Sequence, residues 1–485
     1  LSARECRSSK EDRRSSRVAR KKTLSADENA PFAPGRTLIL TFESLALGGD
    51  AVARSEGFVF FVPYGAPGDT AEVEITEVKK SYGRGIITKI LNPSPSRITP
   101  RCPHYLRCGG CHYQHIDYAS QTSAKKKHVE DSLARISRLS DINVSDTIAM
   151  SEPWNYRAKT QAVIGCRTGT GAPVMGFYQR QSHNFIAMSE CMIQRELNNR
   201  ILNEAEALLP RYGWSVYNER SHQGSLRHCV VRSNRAGTEA LVTLVSKDRD
   251  LPRFDHFCDA LAEEVPEIRG IVLNHNPART NVILGEECGT AWGRDYIHEE
   301  ASGIVYRISP LSFFQVNPEG LDALFLVISE YAAIHREASL LDAYCGVGVF
   351  SLYLAGKVRS VLGVDEVKKA IQDARTNARL NGIDNAKFLE SGSSEALRNF
   401  REEGRHFDCA LLDPPRKGAE AEVLESLMAM KVPHLVYVSC NPATMARDLE
   451  ALSARYSVKA VRPIDMFPQT CQVETVVSLE YEGGD

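Results

Sequence analysis

Three groups of residues in this chain have the types and spacing to do chemistry. The first is a cysteine triplet, Cys102, Cys108 and Cys111, in RCPHYLRCGGCHYQH. Its Gly pair lets the backbone fold tightly, and three thiolates on so short a loop can share an iron-sulfur cluster or a zinc ion, either of which needs a fourth ligand. Cys191, in MSECMIQ, is the candidate for it. One tight triplet plus a distant Cys favours a 4Fe-4S cluster, because an all-Cys zinc site more usually presents two paired CxxC knuckles. Cys6, Cys166, Cys229, Cys258 and Cys288 lack ligand spacing and read as small buried hydrophobes.

The second group is LLDAYCGVGVFSL, an apolar run ending in Asp342, a glycine turn at Gly346 and Gly348, and a helix start. The next apolar run, VLGVDE, ends in Asp365 about twenty residues after the turn, where a carboxylate can accept the hydroxyls of an adenosine ribose. NAD and S-adenosylmethionine (SAM) both use this arrangement. The third glycine of GxGxxG is absent, with Ser351 in its place, which favours SAM because SAM brings no pyrophosphate to cradle.

The third group lies at two further strand ends. CALLD runs into Asp413, Pro414, Pro415, Arg416, Lys417 and Gly418, a proline-stiffened loop. LVYVSC ends in Cys440, followed by Asn441 and Pro442, which places a thiol at the same edge, positioned to be partly activated. A thiol is wanted where a pyrimidine carbon is a poor nucleophile: addition at carbon 6 of uracil gives carbon 5 enolate character, so that it can take a methyl group, after which a base removes the carbon 5 proton. Glu474, opening the apolar run Thr475 to Leu479, is the candidate base.

These groups need elements to position them. The chain of 485 residues, 43% hydrophobic and 25% charged, is of ordinary globular composition and long enough for about three domains. No run of 18 apolar residues occurs, so a cytoplasmic protein without a membrane span is expected. Residues 1 to 30 carry nine Lys or Arg against five acids and few large apolar side chains, so 1–35 reads as a disordered basic tail. Residues 36–92 read as a small all-β barrel, with strands at Phe58 to Val62 and at Ala71, Val73 and Ile75, and with Lys79, Lys80, Tyr82 and Arg84 as a basic and aromatic patch. Residues 93–310 read as an α+β central domain, with helices over Lys125 to Leu139 and Gln194 to Leu209 and strands including Ala240 to Ser246. From 311 to 485, βα repeats read as a Rossmann-like, parallel doubly wound α/β sheet.

The cysteine triplet, SFFQVN at Ser312 to Asn317, DAYCGVG, LLDPPRKG, VSCNPAT and DMFPQTCQVET together resemble the SAM-dependent RNA uracil-5 methyltransferases of the TrmA and RlmD type. The resemblance runs from about residue 37 to the end of the chain. It implies a TRAM domain, an OB-like RNA-binding barrel, at the N-terminal side. It implies 4Fe-4S ligands at Cys102, Cys108, Cys111 and Cys191, and SAM contacts at Gln315, Tyr344, Asp365 and Asp413. It places the nucleophile at Cys440 and the general base at Glu474. Val349 stands where the family often has Asn, a departure at one polar SAM contact.

The cluster and the barrel together favour 23S ribosomal RNA as substrate, with the uridine presented in a loop or bulge. A tRNA uracil-5 methyltransferase and a catalytically silent RNA-binding factor are the alternatives. An amino-methyltransferase of the DPPY kind fits poorly, since Arg416 occupies the stacking position, and a cytosine-5 enzyme would commonly carry Pro-Cys. A monomer without an obligate protein partner is expected.

Overall fold

The computed structural model describes residues 32–139, 141–167 and 169–483; the expected basic tail lies outside them up to residue 31, and so does Cys6. The chain divides into two compact units. The first comprises the residues up to Ala124 with Val163–Ser189 and Gln469–Cys471, and the second comprises Lys125–Ala162, Glu190–Pro468 and the remainder from Gln472.

In the first unit, β1 (Thr37–Leu45), β2 (Ala51–Ser55), β3 (Phe58–Val62), β4 (Thr70–Val78) and β5 (Tyr82–Asn92) close into a barrel of order β1-β2-β3-β5-β4. Alternation decides the inside: Leu40, Phe42, Ala51, Ala53, Phe60, Val62, Ala71, Val73 and Ile75 are all buried. Gly83 and Gly85 are glycine because a Cβ there would come within 2.5 Å of the Phe60 ring and 2.4 Å of Val73. The barrel is tied to the segment after it by buried Asp69, which accepts from the N–H groups of Ala66 (2.7 Å) and Ser94 (2.8 Å) and pairs with Arg97. On the patch seen in the sequence, Tyr82 packs edge-on to Phe61 and lies 5.9 Å from the Arg84 guanidinium, while Lys79 pairs with Glu77. The first unit also holds the paired strands β7 (Pro173–Tyr178) and β8 (Phe185–Ala187), and the second half of β6 (Lys159–Cys166) pairs with β7.

Helix α1 is Tyr118–Ser132, starting seven residues earlier than the sequence suggested. The reason is a cap: Asp117 accepts from the Ser120 N–H (2.9 Å) and hydroxyl (2.7 Å). The helix then widens over Leu133–Ser137 and stops where Arg138 turns left-handed.

In the second unit, β9 (Leu226–Ser233), β10 (Ala240–Ser246), β11 (Ile268–His275) and β12 (Glu287–Gly293) are hydrogen-bonded neighbours in that order, with α2 (Glu196–Leu208) and α3 (Phe254–Glu264) packed on them. A hairpin, β13 (Ile297–Ala301) and β14 (Ile304–Ile308), and helix α4 (Pro318–Tyr331) lead into the large sheet. Its strands are β15 (Ser339–Asp342), β16 (Ser360–Asp365), β17 (Ala386–Glu390), β18 (Cys409–Leu412), β19 (His434–Ser439), β20 (Tyr456–Ile464) and β21 (Glu474–Tyr481). The helices between them are α5 (Val349–Ala355), α6 (Lys368–Leu380), α7 (Ser393–Glu402), α8 (Ala421–Met430) and α9 (Pro442–Leu452).

The order β17-β16-β15-β18-β19-β21-β20 reverses between β15 and β18, the switch point at which doubly wound sheets bind ligands. The sheet is not wholly parallel, as the sequence suggested: β21 runs antiparallel between β19 and β20. An antiparallel strand begins at the edge where its parallel neighbours end. The first residue of β21, Glu474, therefore joins the carboxyl ends of β15, β16, β18 and β19. Among the described residues, no helix is long and apolar enough to cross a membrane.

Candidate active site

At the end of β15, Asp342 is fully buried and accepts from the Ser351 hydroxyl at 2.6 Å. Burial pushes its carboxyl up to about 6. The chain then turns through Gly346 (φ 53°) and Gly348 (φ 85°), and Gly348 caps α5. A side chain at Gly346 would meet nothing within 4 Å, so this turn opens onto free space. Asp365, at the end of β16, is fixed beside it: Oδ2 accepts from the Gly346 N–H (3.0 Å) and Oδ1 from the Val367 N–H (2.8 Å). An open, glycine-lined turn with a pre-oriented carboxylate on the neighbouring strand suits a nucleoside with free ribose hydroxyls. Val349, the departure from the family pattern, is buried as the first residue of α5, and its carbonyl accepts from the Tyr306 hydroxyl. Burial raises the Tyr344 phenol to about 12, with nearby Glu420 adding to the effect.

Gln315 is buried on the segment between β14 and α4. That segment is held at both ends. The Ser309 and Ser312 hydroxyls bond to Asp373, and Asn317 caps α4 through the Gly320 N–H (3.1 Å) while donating to the Met466 carbonyl (3.1 Å).

At the end of β18, the Asp413 to Gly418 loop is clamped to α9. The Arg416 carbonyl accepts from the Asn441 amide (3.1 Å) and the Thr444 hydroxyl (3.2 Å), and the Lys417 carbonyl accepts from Arg447 (2.9 Å). Asp448 takes the Ala419 N–H (2.8 Å) and the Tyr437 hydroxyl (2.6 Å). Much of the polar crowding in SCNPAT is therefore structural. Asn441 also caps α9 through the Ala443 N–H, Pro442 opens that helix, and Ser439 accepts the Asn441 N–H. Cys440 is the residue in the motif that this framework leaves over.

The register Ser439↔Thr475 sets Cys440 and Glu474 opposite each other as the next pair along, and Leu412↔Tyr437 brings Asp413 to the same edge. Cys440, Glu474 and Asp413 thus converge, and Asp342 and Asp365 lie along the same edge. The thiol was expected to be partly activated, and the structure corrects this. Burial raises it, Glu474 and Asp413 raise it further, and the Arg416 guanidinium, hydrogen-bonded to it, pulls the other way. Burial and then Asp342 lift the Asp413 carboxyl to about 7, and burial with Asp413 lifts Glu474 well above the usual carboxylate range. At rest the edge holds its acids and its thiol largely protonated.

The sequence reading missed two features here. Arg416 was noted only as a residue that could not stack a base. Lys125, inside a lysine run that reads as solvated, is fully buried, pairs with Asp465 and donates to the Phe467 carbonyl (3.0 Å), fixing the chain that leads to Glu474. The available signal was the isolated Asp465 in an otherwise apolar stretch.

The cysteine triplet lies on the first unit. The Cys108 N–H bonds to the His104 carbonyl (2.7 Å), the Gly109 N–H to the Tyr178 carbonyl (3.2 Å), and the Gly110 N–H to Cys108 Sγ (3.4 Å). Gly109 is required because a Cβ there would stand 3.0 Å from Arg180 Cα. Burial raises the Cys108 thiol, and the nearby Cys102 adds to this. The donor chemistry and the N–H to sulfur bond suit a cluster. Yet among the described residues no group of three or more His, Cys, Asp or Glu side chains is gathered as a metal site. Cys191, on the second unit, is set by Asn199, which accepts its N–H and donates to its carbonyl, both at 3.1 Å. Of the cysteines expected to be buried, Cys229 and Cys258 are, Cys166 is half-buried and Cys288 is exposed on β12.

A switch-point sheet with a glycine turn and a ribose-reading carboxylate defines a SAM-dependent methyltransferase fold. Comparison with known proteins specifies it further. The profile of the tRNA (uracil-5-)-methyltransferases matches residues 290–482, and that of the TRAM domain matches residues 31–88. An uncharacterized RNA methyltransferase of Halalkalibacterium halodurans is 39% identical over 93% of this chain and 99% of its own length, and one of Bacillus cereus is 39% identical over 94% and 99%. The crystal structure of Pyrococcus abyssi tRNA (uracil-54, C5)-methyltransferase in complex with S-adenosyl-L-homocysteine superposes with a TM-score of 0.73 at 27% identity, covering 91% of this chain and 99% of that one. The chain belongs to the RNA (uracil-5-)-methyltransferase family: it is an RNA methyltransferase that uses SAM and carries an RNA-binding TRAM barrel.

Proposed function

We propose that this enzyme methylates carbon 5 of a uridine in 23S ribosomal RNA through a covalent adduct with Cys440. The observation that carries the reading is the pairing of Cys440 with Glu474 across β19 and β21, beside Asp413 and Arg416. Cys440 gives up its proton, with Arg416 opposing the two carboxyls, and its sulfur adds to carbon 6. The electron pair displaced onto carbon 5 takes the methyl group, S-adenosylhomocysteine leaves, Glu474 removes the carbon 5 proton, and the carbon–sulfur bond breaks to restore the ring. Asp365 holds the ribose of SAM, and Gln315, Tyr344 and Asp413 complete the cofactor and base contacts. The barrel of 36–92 and the segment 93–310 grip the RNA, and 311–485 carries out the transfer.

Cys102, Cys108, Cys111 and Cys191 hold a 4Fe-4S cluster in this reading, and its role is to order the central domain. The support is the all-thiol set and the Gly110 N–H aimed at Cys108. Iron and sulfide analysis with visible absorbance tests it directly: brown protein that loses iron in Cys108→Ala supports the cluster, and colourless protein with stoichiometric zinc overturns it. The activity is tested by mixing the enzyme and SAM with ribosomal RNA containing 5-fluorouridine, whose fluorine cannot leave as a proton. A SAM-dependent adduct on a denaturing gel is expected from ribosomal RNA. An adduct with a tRNA transcript instead would move the substrate to tRNA, and none with either RNA would overturn the covalent route.

A further inference from the structure

Most buried ionisable groups away from the catalytic edge are answered by a partner. Lys125 has Asp465, Glu299 accepts the Arg235 N–H with both oxygens, and Arg227 donates to the carbonyls of Asn276, Ala278 and Thr280. One group of cations is not answered in this way. Lys159 opens β6, Arg157 precedes it by two residues, and Arg232 approaches from β9. Arg157 Nε bonds the Lys159 carbonyl at 3.3 Å, and Arg232, only 5% exposed, donates to the Ser312 carbonyl at 3.0 Å. Lys159 feels Arg232 and Arg157 and no carboxylate.

Burying like charges side by side is costly unless an anion answers them. Here the protein partly escapes the cost by letting go of a proton: burial, then Arg232 and Arg157, lower the Lys159 ammonium to about 7. The cations adjoin the Ser312–Asn317 segment, since the Ala158 N–H bonds the Val316 carbonyl at 2.7 Å and Arg232 holds Ser312. Arg157 and Lys159 are only half-buried, so the cations are reachable from solvent. Guanidinium forks and an ammonium are the groups that bind a phosphodiester, and RNA supplies one at every nucleotide.

We propose that Arg157, Lys159 and Arg232 form a binding site for one backbone phosphate of the RNA, beside the Ser312–Asn317 segment, and that Lys159 takes up a proton when the phosphate enters. The inference rests on RNA as the substrate class and not on which uridine is methylated or how. The charged groups bearing on Lys159 are Arg157 on its own strand and Arg232 on β9; Arg232 in turn faces Glu299 on β13, which burial lifts to about 7. Glu299 therefore titrates in the same range and needs its own control.

The test measures binding of the full chain to a fluorescein-labelled stem-loop RNA by anisotropy at constant ionic strength. An ammonium near pH 7 in the free protein and higher in the complex weakens binding as pH rises, by up to about tenfold per unit. The native chain is expected to bind about fivefold or more weakly at about pH 8.5 than at about pH 6.5. Lys159→Arg should bind within about twofold of native at the lower pH and lose the pH dependence, because arginine stays charged. Lys159→Met should bind weakly throughout and lower the salt slope by about one. SAM binding by calorimetry, unchanged in each variant, shows that the fold is kept. A pH dependence that survives Lys159→Arg, or that vanishes in Glu299→Gln, overturns the proposal. So does inorganic phosphate that binds the native chain and not Lys159→Met while RNA binds both alike, which would assign the cations to free phosphate. Nucleoside mass spectrometry run alongside separates the two readings: RNA bound with this pH dependence but without 5-methyluridine formed would overturn the activity and leave the phosphate site standing.

Discussion

The catalytic edge and the cation group solve the same electrostatic problem with opposite signs. At the edge, Asp342, Asp413 and Glu474 crowd acids into a buried place, and burial holds them protonated. At the cations, Lys159 sits between two guanidiniums, and burial strips its proton. Both regions reach near neutrality in the free enzyme by moving protons and not by recruiting counter-ions. The lesson is that each has capacity for a charge that the substrate brings: a phosphate at the cations, and the charge that develops on uracil and sulfur at the edge.

The comparison is broken most severely by Cys440→Ala, which removes the thiol that the acids hold protonated. Turnover should fall by on the order of 10⁴-fold or more while RNA binding persists, read as loss of 5-methyluridine beside an unchanged anisotropy curve. Glu474→Gln keeps the shape and removes the charge. It should slow turnover by roughly 10²- to 10⁴-fold and let the methylated adduct accumulate even on ordinary uridine, seen as a retarded band on a denaturing gel.

Arg416→Met tests the cation that opposes the edge. The thiol should become harder to ionise, so the pH profile of Cys440 alkylation by iodoacetamide should shift to higher pH by about one unit. No shift would mean that Arg416 does not face the sulfur in solution.

Asp413→Asn gives the smallest effect and the clearest sign. A carboxyl lifted to about 7 binds its proton more tightly folded than unfolded, so its contribution to stability is complete below about pH 4 and is lost as pH rises through about 7. The amide cannot ionise. At about pH 8 the variant should melt about 3 °C higher than the native chain and at about pH 4 no higher, by calorimetry, while its methylation falls.

The site was legible in unequal parts. Cys440, Asp413 and Asp365 could be found because each ends an apolar run at a turn, which is local information, and the barrel followed from its alternation and glycines. Helix α1 began early because one aspartate capped it, a detail that a lysine-rich run obscures. The polar density of SCNPAT pointed to catalysis, but Asn441, Pro442 and Thr444 serve the helix cap and the loop clamp.

The sequence by itself determined which residues end strands, where the glycine turn falls, and that a thiol and several carboxyls share one edge of a wound sheet, because hydrophobic periodicity and turn chemistry are written within a few neighbours. Only the tertiary structure decided the pairing of Cys440 with Glu474, through an antiparallel strand inserted between β19 and β20. It alone also decided the burial of Lys125 and the meeting of Lys159 with Arg232 across 73 positions of sequence. Register between distant strands and the desolvation of a charge depend on everything packed around them, and no short window of sequence contains that.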